Sequence, residues 1–333
     1  MRKATVLVVV ALALTPMWAA SNSTSPSTAA MTPAGAGDLL SAGRVDDALR
    51  LLDVHLKSDP RDARAYNLLS RSYFAVQRWD DAIAAGERAV ALDSNNSDYH
   101  MWLARAYGEK ASHLPRSQFV AAAQLGKRVR QEFERAVQLD ASNMAARSDL
   151  AEFYIEAPSF LGGGKNKAQQ QADLLSERDR ARALWLRGRM AEKEKRYDSA
   201  EQLYTQAITA GGDKGLYWLN LASFYARQNR PDDVERAINR AIEANTRRPS
   251  VLYDAAQVLF GAGRNFVAAA QCIRNYLRGP VEEAPAFQAH YLLGEILEKQ
   301  GDNAAAAEEY KAALALAKDF DLARAALDRL NRH

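Results

Sequence analysis

One five-residue pattern occurs four times in this chain and constrains its fold more than any other feature. It begins with leucine, continues with a small residue and ends with tyrosine, and it occupies 69–73, 103–107, 150–154 and 221–225. The first two copies, which begin at Leu69 and Leu103, are 34 residues apart. A repeat of that length predicts a stack of helical hairpins, in which each hairpin packs against its neighbours and no single central core forms. Such stacks commonly present a long surface to another chain.

Composition agrees with a helical chain of ordinary globular type. Of the 333 residues, 48% are apolar and 26% are charged. Alanine is abundant and proline is scarce, and no alternating run of valine, isoleucine and threonine predicts a strand. Without Arg2 and Lys3, the formal net charge falls from +3 to about +1. The overall charge therefore gives no reason to expect nucleic acid or a charged membrane as a partner.

The first twenty residues have the features of an export signal. Arg2 and Lys3 precede an uncharged apolar run, Ala4 to Leu14, and small residues follow at 19–21. A helix of that run would reach only about 16 Å, whereas the hydrocarbon core of a bilayer is about 30 Å thick. We therefore predict a signal peptide over 1–20, a periplasmic or secreted protein, and no stable membrane insertion after cleavage. An uncleaved N-terminal anchor is the alternative.

The remaining chain divides into a linker and a repeat region. Residues 21–36 are rich in Ser, Thr, Pro and Ala with few large side chains, which predicts a flexible tether. From 37 to 333 the hairpin pattern continues as about eight units, and a last helix over Leu322–Leu330 is expected to cap the stack. Departures from the regular spacing predict insertions near 108–127, 157–167 and 279–286.

The repeated pattern resembles the first helix of the tetratricopeptide repeat, in which an apolar residue, a small residue and a tyrosine recur. The second helices match as well, and at their starts we expect Asp80, Asp198 and Asp232 to cap the free backbone amides of the first turn. Small residues then recur at two helical positions, namely Ala48, Ala82, Ala200, Val234, Ala268 and Ala306, and seven residues further on Ala89, Ala207, Ala241 and Ala313. The resemblance implies an all-α, right-handed superhelical solenoid of helix–turn–helix units.

The first two insertions have distinct sequence features. Tyr107 and Tyr154 are 47 residues apart, thirteen more than one repeat. Because Pro115 breaks a helix, we predict an elongated second helix over about Ser117–Leu139 that extends beyond the stack. The second insertion contains three glycines, 162–164, in place of a tight turn.

No pattern in the sequence indicates catalysis or a cofactor. The glycine run followed by Lys165 has the wrong spacing for a phosphate-binding loop, so we expect the glycines to permit positive φ at a helix end. The five histidines show no metal-ligand spacing, and Cys272, the only cysteine, falls on an apolar helix stripe. We therefore predict no enzyme activity, no cofactor and no metal site.

The resemblance also implies where a partner would bind. In tetratricopeptide proteins the first helices line the concave side, which assigns to that groove Arg64, Asn67, Arg71, Phe74, Met101, Arg105, Trp185, Arg189, Tyr253 and Tyr291. Arginine and the aromatic residues tryptophan and tyrosine often dominate binding energy at protein interfaces. Arg71 and Arg105 lie one repeat apart, so we expect them on adjacent repeats, where they could hold a carboxylate. Pairing of these arginines with acids of neighbouring helices is the alternative.

Two functions fit the sequence. The first is a non-catalytic scaffold that binds a protein or peptide segment in the groove, in the assembly of an envelope or secretion complex. The second is a periplasmic protein that binds a small molecule or assists transport, with the insertions as a lid. The sequence does not predict the partner or the oligomeric state.

Overall fold

The computed structural model describes residues 33–244, 250–279 and 285–332, and every regular element in these ranges is helical. The α-helices are α1 (Pro33–Ser41), α2 (Val45–Ser58), α3 (Ala63–Ala75), α4 (Trp79–Leu92), α5 (Ser97–His113), α6 (Phe119–Leu139), α7 (Met144–Glu156), α8 (Lys165–Ser176), α9 (Arg180–Lys193), α10 (Tyr197–Ala210), α11 (Gly215–Arg227), α12 (Pro231–Glu243), α13 (Ser250–Gly261), α14 (Phe266–Arg278), α15 (Ala286–Lys299), α16 (Asn303–Leu316) and α17 (Asp321–Leu330). Taken in sequence, they form eight hairpins and a last helix. The predicted all-α repeat fold is therefore confirmed.

Two sequence predictions fall largely outside the described residues. The signal segment 1–20 lies outside them, as do 280–284 of the third insertion. The predicted linker 21–36 is wrong at its end, because α1 begins at Pro33 and Ala36 is buried. Alanine is a strong helix former, and burial of Ala36 adds packing that a compositional argument about linkers does not consider.

Small residues lie where the helices of a hairpin approach closely. Ala82, Ala200 and Val234 are fully buried in the first turn of a second helix. The seventh hairpin departs from the predicted register by one residue. There Ala268 is only half-buried and Ala269 is fully buried, because Asn265 caps α14 and shifts its start.

The aspartates at the starts of α4 and α12 lie in the first turn and do not cap these helices, whereas Asp302 caps α16. The cap positions of α4 and α12 are Arg78 and Arg230, whose side chains make no capping hydrogen bond. Arg78 instead pairs with Asp81 at 2.7 Å, and Arg230 pairs with Asp233 at 2.6 Å. Acids in the first turn remain favourable because they face the positive end of the helix dipole.

The first insertion lengthens both helices of the third hairpin. Helix α6 begins at Phe119 and has 21 residues, close to the predicted Ser117–Leu139, and a 3₁₀ turn over Arg116–Gln118 precedes it. Helix α5 is also long, with 17 residues, which the sequence analysis did not predict. Among the described residues, no helix combines the length and apolarity needed to cross a bilayer.

The second insertion is a 3₁₀ turn, Ser159–Leu161, followed by the three glycines. Gly162 has a φ of +95°, as predicted for a helix end. Gly163 is required for a different reason, because a Cβ there would lie 1.8 Å from the carbonyl oxygen of Ala157. The glycine run therefore permits a tight backbone path into α8.

The described residues divide into two compact units. Unit 1 contains Asp59–Phe74 and Arg78–Leu203, and its core lies between α5, α6, α7, α8 and α9 around Phe133 and Phe153. Unit 2 contains 33–58, Ala75–Gln77 and the described residues from 204 onward.

Within unit 2, the N-terminal hairpin packs against the last helices of the chain. Leu40 and Val45 share a core cluster with Phe287 and Phe320, whose ring centroids lie 5.0 Å apart. The backbone N–H of Lys318 also donates to the Asp46 carboxylate at 3.1 Å. The apolar surface of the last repeat is therefore covered by α17, as predicted, and also by a hairpin from the other end of the sequence.

We expect Gly43→Ala to weaken this packing. Gly43 has a φ of +75°, and a Cβ there would lie 2.4 Å from the backbone nitrogen of Ala286. Gly301, with a φ of +84° and open space around it, provides a matched control. Gly301→Ala should cost about 1 kcal/mol of unfolding free energy from backbone strain alone, and Gly43→Ala about 2 kcal/mol or more. Equal losses in urea unfolding would show that this contact is not tight in solution.

Candidate functional site

Ionisable side chains recur on the first helices of unit 1 at one position of the repeat. Arg71, Arg105 and Glu152 each lie eight residues after the first residue of α3, α5 and α7. Helix α7 contacts both α5 and α9, so Glu152 lies between arginines of its neighbours. We call these side chains the charged row and define it as Arg71, Arg105, Asp149, Glu152, Glu156 and Arg189.

The centre of the charged row is a buried ion pair. Arg105 Nε donates to Oδ2 of Asp149 at 2.8 Å, and the two side chains are only 4% and 7% exposed. Both charges have lost most of their hydration, so the pair is favourable only while its hydrogen-bonding geometry is kept. The carboxylate that the sequence analysis expected a partner to supply at Arg105 is therefore supplied by α7 of the same chain.

Trp102 lies between two guanidinium groups. The Cζ atoms of Arg71 and Arg105 lie 4.8 Å and 4.6 Å from its ring centroid, distances typical of cation–π contacts. Burial and the nearby Arg105 charge lower the pKa of Arg71 to about 10, so Arg71 is still a cation at neutral pH. Phe74 packs edge-on against Trp102 at 5.7 Å and against Trp79 at 5.3 Å. Trp102 and Trp79 are thus packing residues.

Glu152 is the most perturbed acid of the site. The pKa of its carboxyl group is raised to about 8, chiefly by burial. The positive charges of Arg189 and Arg105 act to lower this pKa, and the negative charges of Asp149 and Glu156 act to raise it. At neutral pH the protonated form therefore predominates. A neutral carboxyl group can donate a hydrogen bond, whereas an ionised carboxylate can only accept one.

The end of the charged row on α9 is more accessible. Glu156 accepts hydrogen bonds from Arg189 at 3.0 Å and from Lys193 at 2.7 Å. Arg189 is half-buried, and its Nε atom has no hydrogen-bond partner within the described ranges. Trp185, one turn before Arg189, is half-buried against the core of unit 1. This end can exchange an internal partner for an external one at lower cost than the buried Arg105–Asp149 pair.

The other predicted residues of unit 1 differ in exposure. Arg64 is exposed at the start of α3, and Met101 is buried in the core. Asn67 is buried, and its Oδ1 atom accepts no hydrogen bond in the part of the chain that the structure describes. An amide oxygen without a partner is costly when buried.

Two predicted groove residues belong to unit 2, where their rings pack against other aromatic rings. Tyr253 is buried and its ring lies 5.8 Å from that of Tyr276. Tyr291 lies 5.3 Å from the ring of Phe320, and burial raises the pKa of its hydroxyl group. Both rings therefore pack within unit 2 and are not part of the charged row.

The acids of α7 were not predicted from the sequence as site residues. Asp149 and Glu152 are central to the charged row, but the fourth unit received no groove residues. Glu152 follows Leu150 at the same distance as Arg71 follows Leu69, so the repeat register alone identifies its position. Its burial was not deducible from the register.

Comparison with protein families identifies the repeat. The model of the tetratricopeptide repeat matches residues 35–97, 69–110, 167–215 and 253–319, which together exceed half of the chain. This chain belongs to the tetratricopeptide repeat family. Repeats of this family generally mediate protein–protein interaction. A comparison with curated protein sequences finds no match.

Solved structures of other proteins resemble the chain at low identity. A tetratricopeptide repeat protein from Parabacteroides merdae is 13% identical, with 90% of this chain and 96% of that chain covered and a TM-score of 0.46. The MamA protein is 20% identical, with 55% and 91% covered and a TM-score of 0.40. A thermophilic tetratricopeptide repeat protein of Thermus thermophilus is 18% identical, with 68% and 95% covered and a TM-score of 0.43.

Proposed function

We propose that this protein is a non-catalytic scaffold that binds a segment of a partner protein on the face of unit 1 that carries the charged row. The observation that supports this most is the recurrence of Arg71, Arg105 and Glu152 at one position of successive first helices, with Arg189 one residue later on α9. A regular spacing of charges along stacked helices suits an extended chain, whose own side chains recur at regular intervals.

The members of this face have different roles in the proposal. Arg105 and Asp149, which are buried and paired, hold α5 and α7 in register and position the neighbouring groups. Trp185 and Arg189, which are half-buried, meet the partner. This division gives a site with a fixed centre and exchangeable charges at its α9 end.

We also propose that the protein acts after export, in the assembly of an envelope or secretion complex. The support is the basic start, the apolar run Ala4 to Leu14 and the small residues that follow it. The partner is accordingly an exported protein.

The site is tested with peptides selected from a random display library against the whole protein. For the tightest peptide, Trp185→Ala and Arg189→Ala are each expected to raise Kd about tenfold or more, because both remove half-buried contacts of types that dominate interfaces. Titration calorimetry measures the change. Gln131→Ala, an exposed substitution on α6, is the control and should leave Kd unchanged. Peptides that bind Trp185→Ala and Arg189→Ala as tightly as the unmodified protein would place the binding site elsewhere.

A further inference from the structure

The two insertions of unit 1 bring exposed apolar side chains together. Phe119 begins α6 and Phe160 lies on the 3₁₀ turn, and their ring centroids are 6.1 Å apart. These side chains are 54% and 60% exposed, and that of Val120 is 69% exposed. Exposed large apolar residues are ordinary when scattered singly, but a pair of neighbouring aromatic rings beside a valine is not. We call Phe119, Val120 and Phe160 the insertion patch.

Close contacts beneath the insertion patch fix its backbone. A Cβ at Gly126 of α6 would lie 3.0 Å from a methyl carbon of Leu161, and Leu161 packs against the core of unit 1. One turn further, the Arg130 side chain lies against Gly162. Glycine at 126 thus permits the 3₁₀ turn to pack directly on α6. The exposed rings are therefore carried by packed elements and not by a fraying end.

The segments that carry the insertion patch are basic and contain no acid. Between Ser112 and Gln131, and again between Ala157 and Ala172, no aspartate or glutamate occurs. The Lys and Arg residues of these two segments are Arg116, Lys127, Arg128, Arg130, Lys165 and Lys167. This contrasts with the whole chain, whose net charge is only +3.

Two of these cations lie beside the patch without an acidic partner. Arg116 and Lys127 are exposed and form no ion pair with any residue that the structure describes. Arg128 and Lys165, in contrast, are paired with Glu87 and Glu194 at 2.9 Å and 2.6 Å. Lys127 lies about two helical turns after Val120, and therefore on the same side of α6 as this member of the patch.

We propose that the insertion patch docks this protein peripherally on an anionic lipid bilayer. Phe119, Phe160 and Val120 enter the boundary between headgroups and acyl chains, while Arg116 and Lys127 contact anionic headgroups. Aromatic and aliphatic side chains flanked by Lys and Arg are the combination that interfacial binding requires, and the charge of the surrounding segments is complementary to such a surface. A bilayer suits outward-projecting side chains because lipid deforms around them, whereas a peptide is bound where its own side chains enter pockets. The docking is separate from the charged row and does not depend on it.

The test uses the whole protein and vesicles of phosphatidylcholine, with or without about one third phosphatidylglycerol, in a sedimentation assay. Phe119→Ala with Phe160→Ala should weaken partition onto anionic vesicles about tenfold or more. Arg116→Ala with Lys127→Ala should weaken it by about fivefold for each charge and should also reduce its dependence on salt. Val267→Ala, which removes a 74% exposed apolar side chain in unit 2, is the control and should have no effect.

A label placed in the insertion patch distinguishes lipid binding by the patch from lipid binding by the apolar run Ala4 to Leu14, which all variants contain. Val120→Cys is labelled with an environment-sensitive fluorophore; Cys272 is buried and therefore protected from the label. Anionic vesicles should shift the emission of the label at 120 to the blue and leave a label at Val267→Cys unchanged. If the label at 120 does not shift, or if the double variants partition like the unmodified protein, the patch does not bind lipid. Protection of the label by a protein and not by vesicles would likewise overturn the proposal.

Discussion

Replacing Arg105 by alanine is expected to lower the free energy of unfolding by about 3–5 kcal/mol. The substitution leaves the Asp149 carboxylate, only 7% exposed, without the guanidinium that lies 2.8 Å away. It also removes the cation over Trp102 and opens space in a packed region. The loss arises mainly because a buried charge without a partner is far more costly than the intact pair is favourable.

Two further variants identify the cause of that loss. Arg128→Ala removes an exposed arginine whose pair with Glu87 leaves the two side chains 56% and 48% exposed, so it should cost less than about 1 kcal/mol. Arg105→Met combined with Asp149→Leu removes both charges and should recover most of the stability lost in Arg105→Ala. Urea unfolding measures all three. Similar losses for Arg105→Ala and Arg128→Ala would mean that the Arg105–Asp149 pair is hydrated in solution.

The helices were predictable because their signal is local and repeated. Leu103 and Tyr107 show the apolar spacing of one helix face, and the copy of the pattern one repeat earlier fixes its position in a hairpin. The long α6 was predictable for the same reason, since Pro115 marks where one helix must stop and the next begin. The errors concern the ends of helices and the register of their small residues. In α14, for example, Ala268 was expected at the buried position and Ala269 occupies it, because the cap residue Asn265 sets where the helix begins.

Contacts between distant parts of the chain were not predictable in this way. Gly43 lies against Ala286 in unit 2, but neither residue belongs to a periodic pattern that involves the other. The charged row shows a related limit. The register identifies which residues share a face, but the Arg105–Asp149 pair depends on how closely α5 and α7 approach, which the register does not give.

Replacing Glu152 by glutamine is expected to make the protein more stable at alkaline pH. The folded protein holds the Glu152 proton up to about pH 8, whereas the unfolded chain releases it near the ordinary pKa of 4.5. Because the unfolded state then binds fewer protons than the folded state, the stability of the unmodified protein falls as pH rises through this interval. Glutamine has nearly the same shape and no charge to bury. The variant should therefore match the unmodified protein near pH 5 and exceed it by about 3–5 kcal/mol near pH 9.

The opposite pH dependence is expected at Glu298 of unit 2, which provides the control. A hydrogen bond from Arg329 at 2.7 Å lowers the pKa of the Glu298 carboxyl group below its usual value. That carboxylate stabilises the folded state once it is ionised, so Glu298→Gln should lose stability above about pH 5, where Glu152→Gln gains it. Urea unfolding at several pH values, followed by tryptophan fluorescence, measures both. If Glu152→Gln were no more stable than the unmodified protein near pH 9, the Glu152 carboxylate would have to be stabilised by Arg105 and Arg189 enough to ionise. The charged row would then contain alternating full charges, and an extended partner would meet an anion at α7 in place of a hydrogen-bond donor.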